Sequence, residues 1–146
     1  MSRFLTPLRI EHTGATLHGR QIFRILESFD YEVGAERSGI IIRVPIGFET
    51  DLGSVPRLLW WIVSPTGRYG KAFVLHDYLY RKSSGCSKIV AEAIMYESLD
   101  LLECPWWLRN VIFNALYYFG HRAYAWEGTA PSSTEVAMLD SHKKVL

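Results

Sequence analysis

The side chains best suited to chemistry are gathered between Val44 and Tyr80, in VPIGFETDLGSVPRLLWWIVSPTGRYGKAFVLHDYLY. This stretch holds Asp51, Arg57, His76 and Asp77, and Glu92 follows closely. One histidine with two or three carboxylates is a mixed nitrogen and oxygen donor set. Such a set suits zinc, manganese or magnesium and does not choose among them. A divalent ion held there would lower the pKa of its bound water and make a nucleophile near neutral pH. The expected roles are Asp51, His76 and Glu92 as metal ligands, with Asp77 a ligand or an orienter. Arg57 is expected to make a charge-assisted hydrogen bond to Asp51 or Asp77. His121, farther along, is a candidate general acid.

Each of these residues also has a plainer use. Thr50 and Asp51 can satisfy backbone N–H groups of a turn. His76 lies among Phe73, Leu75 and Leu79, the setting of a hydrogen-bonded core histidine. Glu92 stands four residues after Lys88, the spacing of a surface ion pair. Neighbouring helical residues project about 100° apart, so His76 and Asp77 do not face one point squarely. His76 shares a helix face with Tyr80, and Asp77 with Arg81.

The elements that must position these groups change character near residue 50. Residues 1–49 carry strand signals, at Ile22 to Phe29 and Gly39 to Val44, separated by glycine-bearing turns. The nearly continuous apolar run Ile40 to Val44 suggests a central strand. A small antiparallel sheet of three to five strands is expected. Beyond it the apolar period becomes helical. Ser54 and Pro56 mark a helix start, with a short helix over Arg57 to Val63. Further helices are predicted from Tyr69 to Lys82, from Lys88 to Leu102 with Ser87 as N-cap, and from Pro105 to Trp126. The apolar face of the Lys88 helix is read as Ala91, Ile94, Met95, Ser98, Leu101 and Leu102. On the last helix Asn110, Asn114, Tyr117 or Tyr118, and His121 form a polar stripe. It either lines the same cavity or faces solvent.

The expected architecture is therefore α+β: an N-terminal antiparallel sheet packed against three to four C-terminal helices. With 146 residues, a single domain over 1–126 is expected, followed by a linker and short C-terminal arm over 127–146. In that arm Val136, Met138, Leu139 and Val145 would dock on the domain or on a neighbouring subunit. Sixteen basic residues against fifteen acidic ones argue against a nucleic-acid binder driven by a basic field. No run approaches the roughly 18 apolar residues of a membrane span. The first residues lack the continuous apolar core of a signal peptide. Cys86 and Cys104 flank a predicted helix some 22 Å long, too far apart to bridge, so reduced thiols are expected. GxSxG, HExxH, P-loop and paired CxxC patterns are absent.

Val44 to Arg57 (VPIGFETDLGSVPR), Ala72 to Tyr80 (AFVLHDYLY), then Phe119, Gly120 and Trp126 resemble domain-of-unknown-function family 1353. The resemblance covers roughly Ile22 to Trp126. It implies a short protein of tailed bacteriophages and prophages, often encoded near tail or lysis genes. The chain departs from the family pattern at Ala91-Glu92, where the family usually has Ala-Asp. That keeps the carboxylate and moves it by one methylene.

Two functions are expected from these readings. One is a phage-encoded, metal-assisted hydrolase acting on the host envelope or cell wall. The other is a non-catalytic virion component of the tail, baseplate or head surface. Its motif residues would fix one packing arrangement, and its partners would be other virion proteins or a second copy. In either case synthesis in the host cytoplasm is expected. An open cleft containing Asp51, His76 and Glu92 favours the first, and a sealed network favours the second.

Overall fold

A computed structural model describes residues 1–17, 19–52, 64, 67–81 and 84–120. Six strands come first: β1 (Arg3–Phe4), β2 (Ile10–Leu17), β3 (Arg20–Ile25), β4 (Phe29–Glu32), β5 (Ile41–Val44) and β6 (Glu49–Thr50). Three helices follow: α1 (Gly70–Leu79), α2 (Lys88–Leu101) and α3 (Trp106–Phe119). The fold is α+β, as expected.

The strands form two small antiparallel sheets rather than one, ordered β1-β4-β5 and β2-β3-β6. The apolar run from Ile22 to Phe29 breaks after Ile25, and the chain crosses to the other sheet before Phe29. Backbone pairing explains the break. Ile25 exchanges hydrogen bonds with Gly47 and Phe48, both at 2.9 Å, which ties β3 to the approach of β6. Gly47 can take the required φ of 82° because it has no Cβ.

β5 is an edge strand, not the central one its continuous apolarity suggested. Ile42 and Val44 turn inward, while Ile41 and Arg43 face out. The centre belongs to β4, buried at all four positions including Asp30 and Glu32. Those carboxylates are paired with the strands on either side. Arg43 of β5 grips Asp30 through two hydrogen bonds, at 2.7 and 2.6 Å, and Arg3 of β1 donates to Glu32 at 2.8 Å. Each arginine holds its carboxyl below the usual range.

α1 is buried over most of its length: Gly70, Ala72 to His76 and Leu79 are all inside. It packs against α2 and β6, and α2 packs against α3. The Ser87 hydroxyl caps α2 by accepting from the Val90 N–H at 3.4 Å, at the predicted boundary. Ala91, Ile94, Met95 and Ser98 face the core as read from the period, but Leu101 and Leu102 are only half-buried. Val90 and Leu99 take their place. α3 buries Leu108, Ile112 and Leu116, one residue per turn, and turns Asn110, Asn114, Tyr117 and Tyr118 outward. The described part of its polar stripe therefore lies on the outer face of the single chain, and His121 lies outside the described residues. One apolar cluster runs from Ile25, Phe29, Tyr31, Ile42 and Val44 of the sheets through all three helices.

Cys86 and Cys104 are free thiols. Among the described residues no helix is long and apolar enough to cross a membrane. The predicted helix over Arg57 to Val63 and the 127–146 arm lie outside the described residues.

The burial pattern makes a simple prediction. Phe73→Ala, at a fully buried position of α1, should lower unfolding free energy by about 3–5 kcal/mol. Ile41→Ala on the outer face of β5 should change it by less than about 1 kcal/mol. Denaturant midpoints of the two variants check this contrast.

Candidate functional site

His76 and Asp77 leave α1 in different directions and reach different partners. Asp77, half-buried, accepts a short hydrogen bond from the Thr50 hydroxyl at the end of β6. That hydroxyl oxygen in turn accepts from the Leu52 N–H at 3.0 Å. The turn between them holds Leu52 at φ 50° with its side chain buried. A left-handed conformation costs a non-glycine residue about 1–2 kcal/mol, which the anchored Thr50 and the buried leucine side chain help to offset. Asp51, inside this turn, keeps its side chain 30 % exposed, with the Arg20 guanidinium 3.6 Å away.

His76 lies on a different side of the helix and is fully buried. Its ring lies against Tyr80, one turn on, with centroids 4.0 Å apart and planes tilted by 45°. The Tyr80 hydroxyl donates to Glu92 of α2 at 3.1 Å. The Lys88 ammonium bonds the same carboxylate oxygen across one turn of α2. Lys88 also reaches α3, donating to the carbonyls of Leu116 and Tyr117 at 3.4 and 3.3 Å and lying over the Tyr117 ring. These are carbonyls of the last turn of α3, where a cation is favourable. Gly120 closes the junction. A Cβ there would stand 2.7 Å from the Tyr80 hydroxyl, so only glycine lets the end of α3 come this close.

Burial, reinforced by the Lys88 charge, pushes the His76 imidazole down to about 3. It is neutral throughout the physiological range. The Lys88–Glu92 pair has the expected helical spacing, but it is not a surface pair. The glutamate side chain is 2 % exposed and the lysine 13 %.

Among the described residues no three His, Cys, Asp or Glu side chains lie together as a metal-holding group. Asp51 faces Arg20 and Glu92 faces Lys88. A divalent ion at Glu92 would meet the Lys88 ammonium at close range, and like charges at that spacing repel strongly when desolvated. Arg57 and His121 lie outside the described residues.

Thr50, Tyr80, Lys88 and Gly120 carry the contacts here, and the sequence marks them only for a turn, a local spacing or the family motif. The i, i+4 spacings of His76 with Tyr80 and Lys88 with Glu92 were visible. That both pairs meet under the end of α3 was not.

Two consequences can be measured. Glu92→Ala should destabilise the fold by about 3–5 kcal/mol, because it strands a largely buried ammonium. Replacing both members with Met should restore most of that loss. The second concerns pH. An unfolded histidine titrates near 6.5 while His76 stays neutral in the fold to about pH 3. As pH falls through that window the unfolded chain gains a proton that the folded chain refuses. Stability should then drop by up to about 1.4 kcal/mol per pH unit, and by nothing from this group above pH 7. His76→Gln should flatten the slope between pH 6 and 5, as read by chemical denaturation.

Comparison with known proteins places this architecture in a family. No curated protein and no solved structure matches the chain. The model of one family, described as a protein of unknown function (DUF1353), matches residues 23–116, from β3 to the last turn of α3. That span contains the Thr50–Asp77 contact and the His76, Tyr80, Lys88 and Glu92 junction. The chain belongs to the DUF1353 family.

Proposed function

We propose that this protein is a non-catalytic component of a phage particle, made in the host cytoplasm and carried at the tail, baseplate or head surface. One observation carries the non-catalytic half: the conspicuous His76 and Glu92 are sealed from solvent, and Glu92 is already bonded to Lys88 and Tyr80. A hydrolase must bring substrate and water to its acid and base. These groups instead join three helices, as a network that specifies packing does. The phage half is supported by the likeness of VPIGFETDLGSVPR and AFVLHDYLY to short proteins of tailed phages and prophages.

The competing reading is a metal-assisted hydrolase of the host envelope or cell wall. Both are tested on purified material. Particles from a lysate should contain this chain at fixed stoichiometry by quantitative mass spectrometry. The isolated protein should hold zinc, manganese and magnesium only far below one ion per chain. It should leave purified cell walls intact. A stoichiometric metal that is lost with Asp51→Ala, together with wall-degrading activity, overturns the proposal.

A further inference from the structure

We infer that the outer face of α3 is the contact surface of a homodimer, in which two copies of α3 pack antiparallel across a twofold axis level with Ile112. The inference does not depend on the function proposed above, since an enzyme could carry the same face.

The face is defined by exposure. Trp106 is 69 % exposed, Trp107 48 %, Val111 42 %, Tyr117 49 % and Tyr118 69 %. Asn110 and Asn114 are exposed between them. At about 100° per residue these seven positions form one continuous stripe, opposite the buried Leu108, Ile112 and Leu116. The stripe contains no charged side chain. Exposed aromatics are normally scattered singly on a surface, whereas here four sit on one helix face.

Area supports an interface of this kind. Fully covered aromatics bury about 150–250 Å² each. At the exposures given, the four present roughly 350–600 Å² per copy. A pair of copies would bury roughly 700–1,200 Å² from the rings alone, and Val111 with the two asparagines add to it. The total reaches the lower edge of specific interfaces, about 1,000–1,200 Å².

The order of residue types argues for a second copy over a different protein. A twofold interface is self-complementary: when residue i meets residue j, j also meets i. Read about position 112, the stripe mirrors itself. Trp106 falls opposite Tyr118, Trp107 opposite Tyr117, and Asn110 opposite Asn114. Antiparallel pairing therefore sets aromatic against aromatic at both ends and amide against amide in the middle. Asn110 Oδ1 accepts from Tyr96 on its own chain at 3.2 Å, so its NH₂ is turned away from that bond. Side-chain amides at the centre of a helix pair fix register.

The test is the mass of the full-length protein in solution. Sedimentation from about one to about a hundred micromolar spans the range that modest interfaces populate. A concentration-dependent dimer is expected. Trp106→Glu and Tyr118→Lys should each raise its dissociation constant at least about tenfold, as loss of a well-packed interface aromatic does. The double variant Trp106→Glu, Tyr118→Lys should regain the dimer, because position 106 of one copy faces 118 of the other. Within one chain the two positions are roughly 18 Å apart along the helix and cannot pair. Circular dichroism at each variant confirms that the exposed substitutions leave the fold intact. A wild-type protein that stays monomeric throughout overturns the inference and leaves the stripe to residues 121–146 or to another protein. A dimer indifferent to both single substitutions also overturns it, by placing the contact elsewhere.

Discussion

A charge pair almost out of water constrains the helical half of this molecule. Lys88 and Glu92 lie where desolvation is expensive, and removing either leaves an uncompensated ion. Their surroundings are therefore specified closely. Tyr80, the C-cap of α1, supplies a hydroxyl to the carboxylate, and the last turn of α3 supplies carbonyls to the ammonium. Gly120 supplies only the absence of a side chain, which the Tyr80 oxygen needs. Apolar contacts between the helices would tolerate many small shifts. Hydrogen bonds to a buried pair tolerate few, so this junction selects one arrangement of three helices from several of similar apolar burial.

The same device recurs where the sheets meet the rest. In β4 the carboxylates of Asp30 and Glu32 are bound by arginines from the two flanking strands, which orders β1-β4-β5 by charge as well as by backbone pairing. The second sheet is joined to α1 by Thr50 and Asp77. α1 is thus bonded on one side to β6 and on the other, through Tyr80, to α2. The His-Asp doublet marks those two directions, and its two side chains serve different contacts.

Local signals in the sequence carried well. The change from strand to helix period near residue 50, the Ser87 cap and most of the inner face of α2 depend on neighbours within a few residues, and each was legible. What depended on distant partners was not. The single apolar run from Ile22 to Phe29 gave no sign that Gly47 and Phe48 would bond Ile25 and divide it between sheets. Ile40 to Val44 had the composition of a central strand, yet the order of strands made it an edge. At the candidate site the residue types were found and their long-range contacts were not. A histidine and carboxylates at these spacings read equally as ligands or as packing groups. No spacing showed that the Lys88 ammonium would bond Glu92 beneath the last turn of α3. The one clue to that contact was the glycine at 120, and a lone glycine names no partner.

α1 has little cover of its own. Seven of the ten residues from Gly70 to Leu79 are buried, and much of that burial comes from α2, which follows in the chain and packs in turn on α3. At about 5–20 residues per second of synthesis, the roughly forty residues from the end of α1 to the end of α3 take about 2–8 s to be made. Throughout that interval the run Ala72 to Leu75 has emerged, or is emerging, without the surfaces that will enclose it. A ten-residue helix is marginal in water by itself, so secondary structure offers this run little protection. The nascent chain therefore passes through a period in which a helix destined for burial is a chaperone or aggregation target, and that period ends only when the glycine-closed end of α3 arrives.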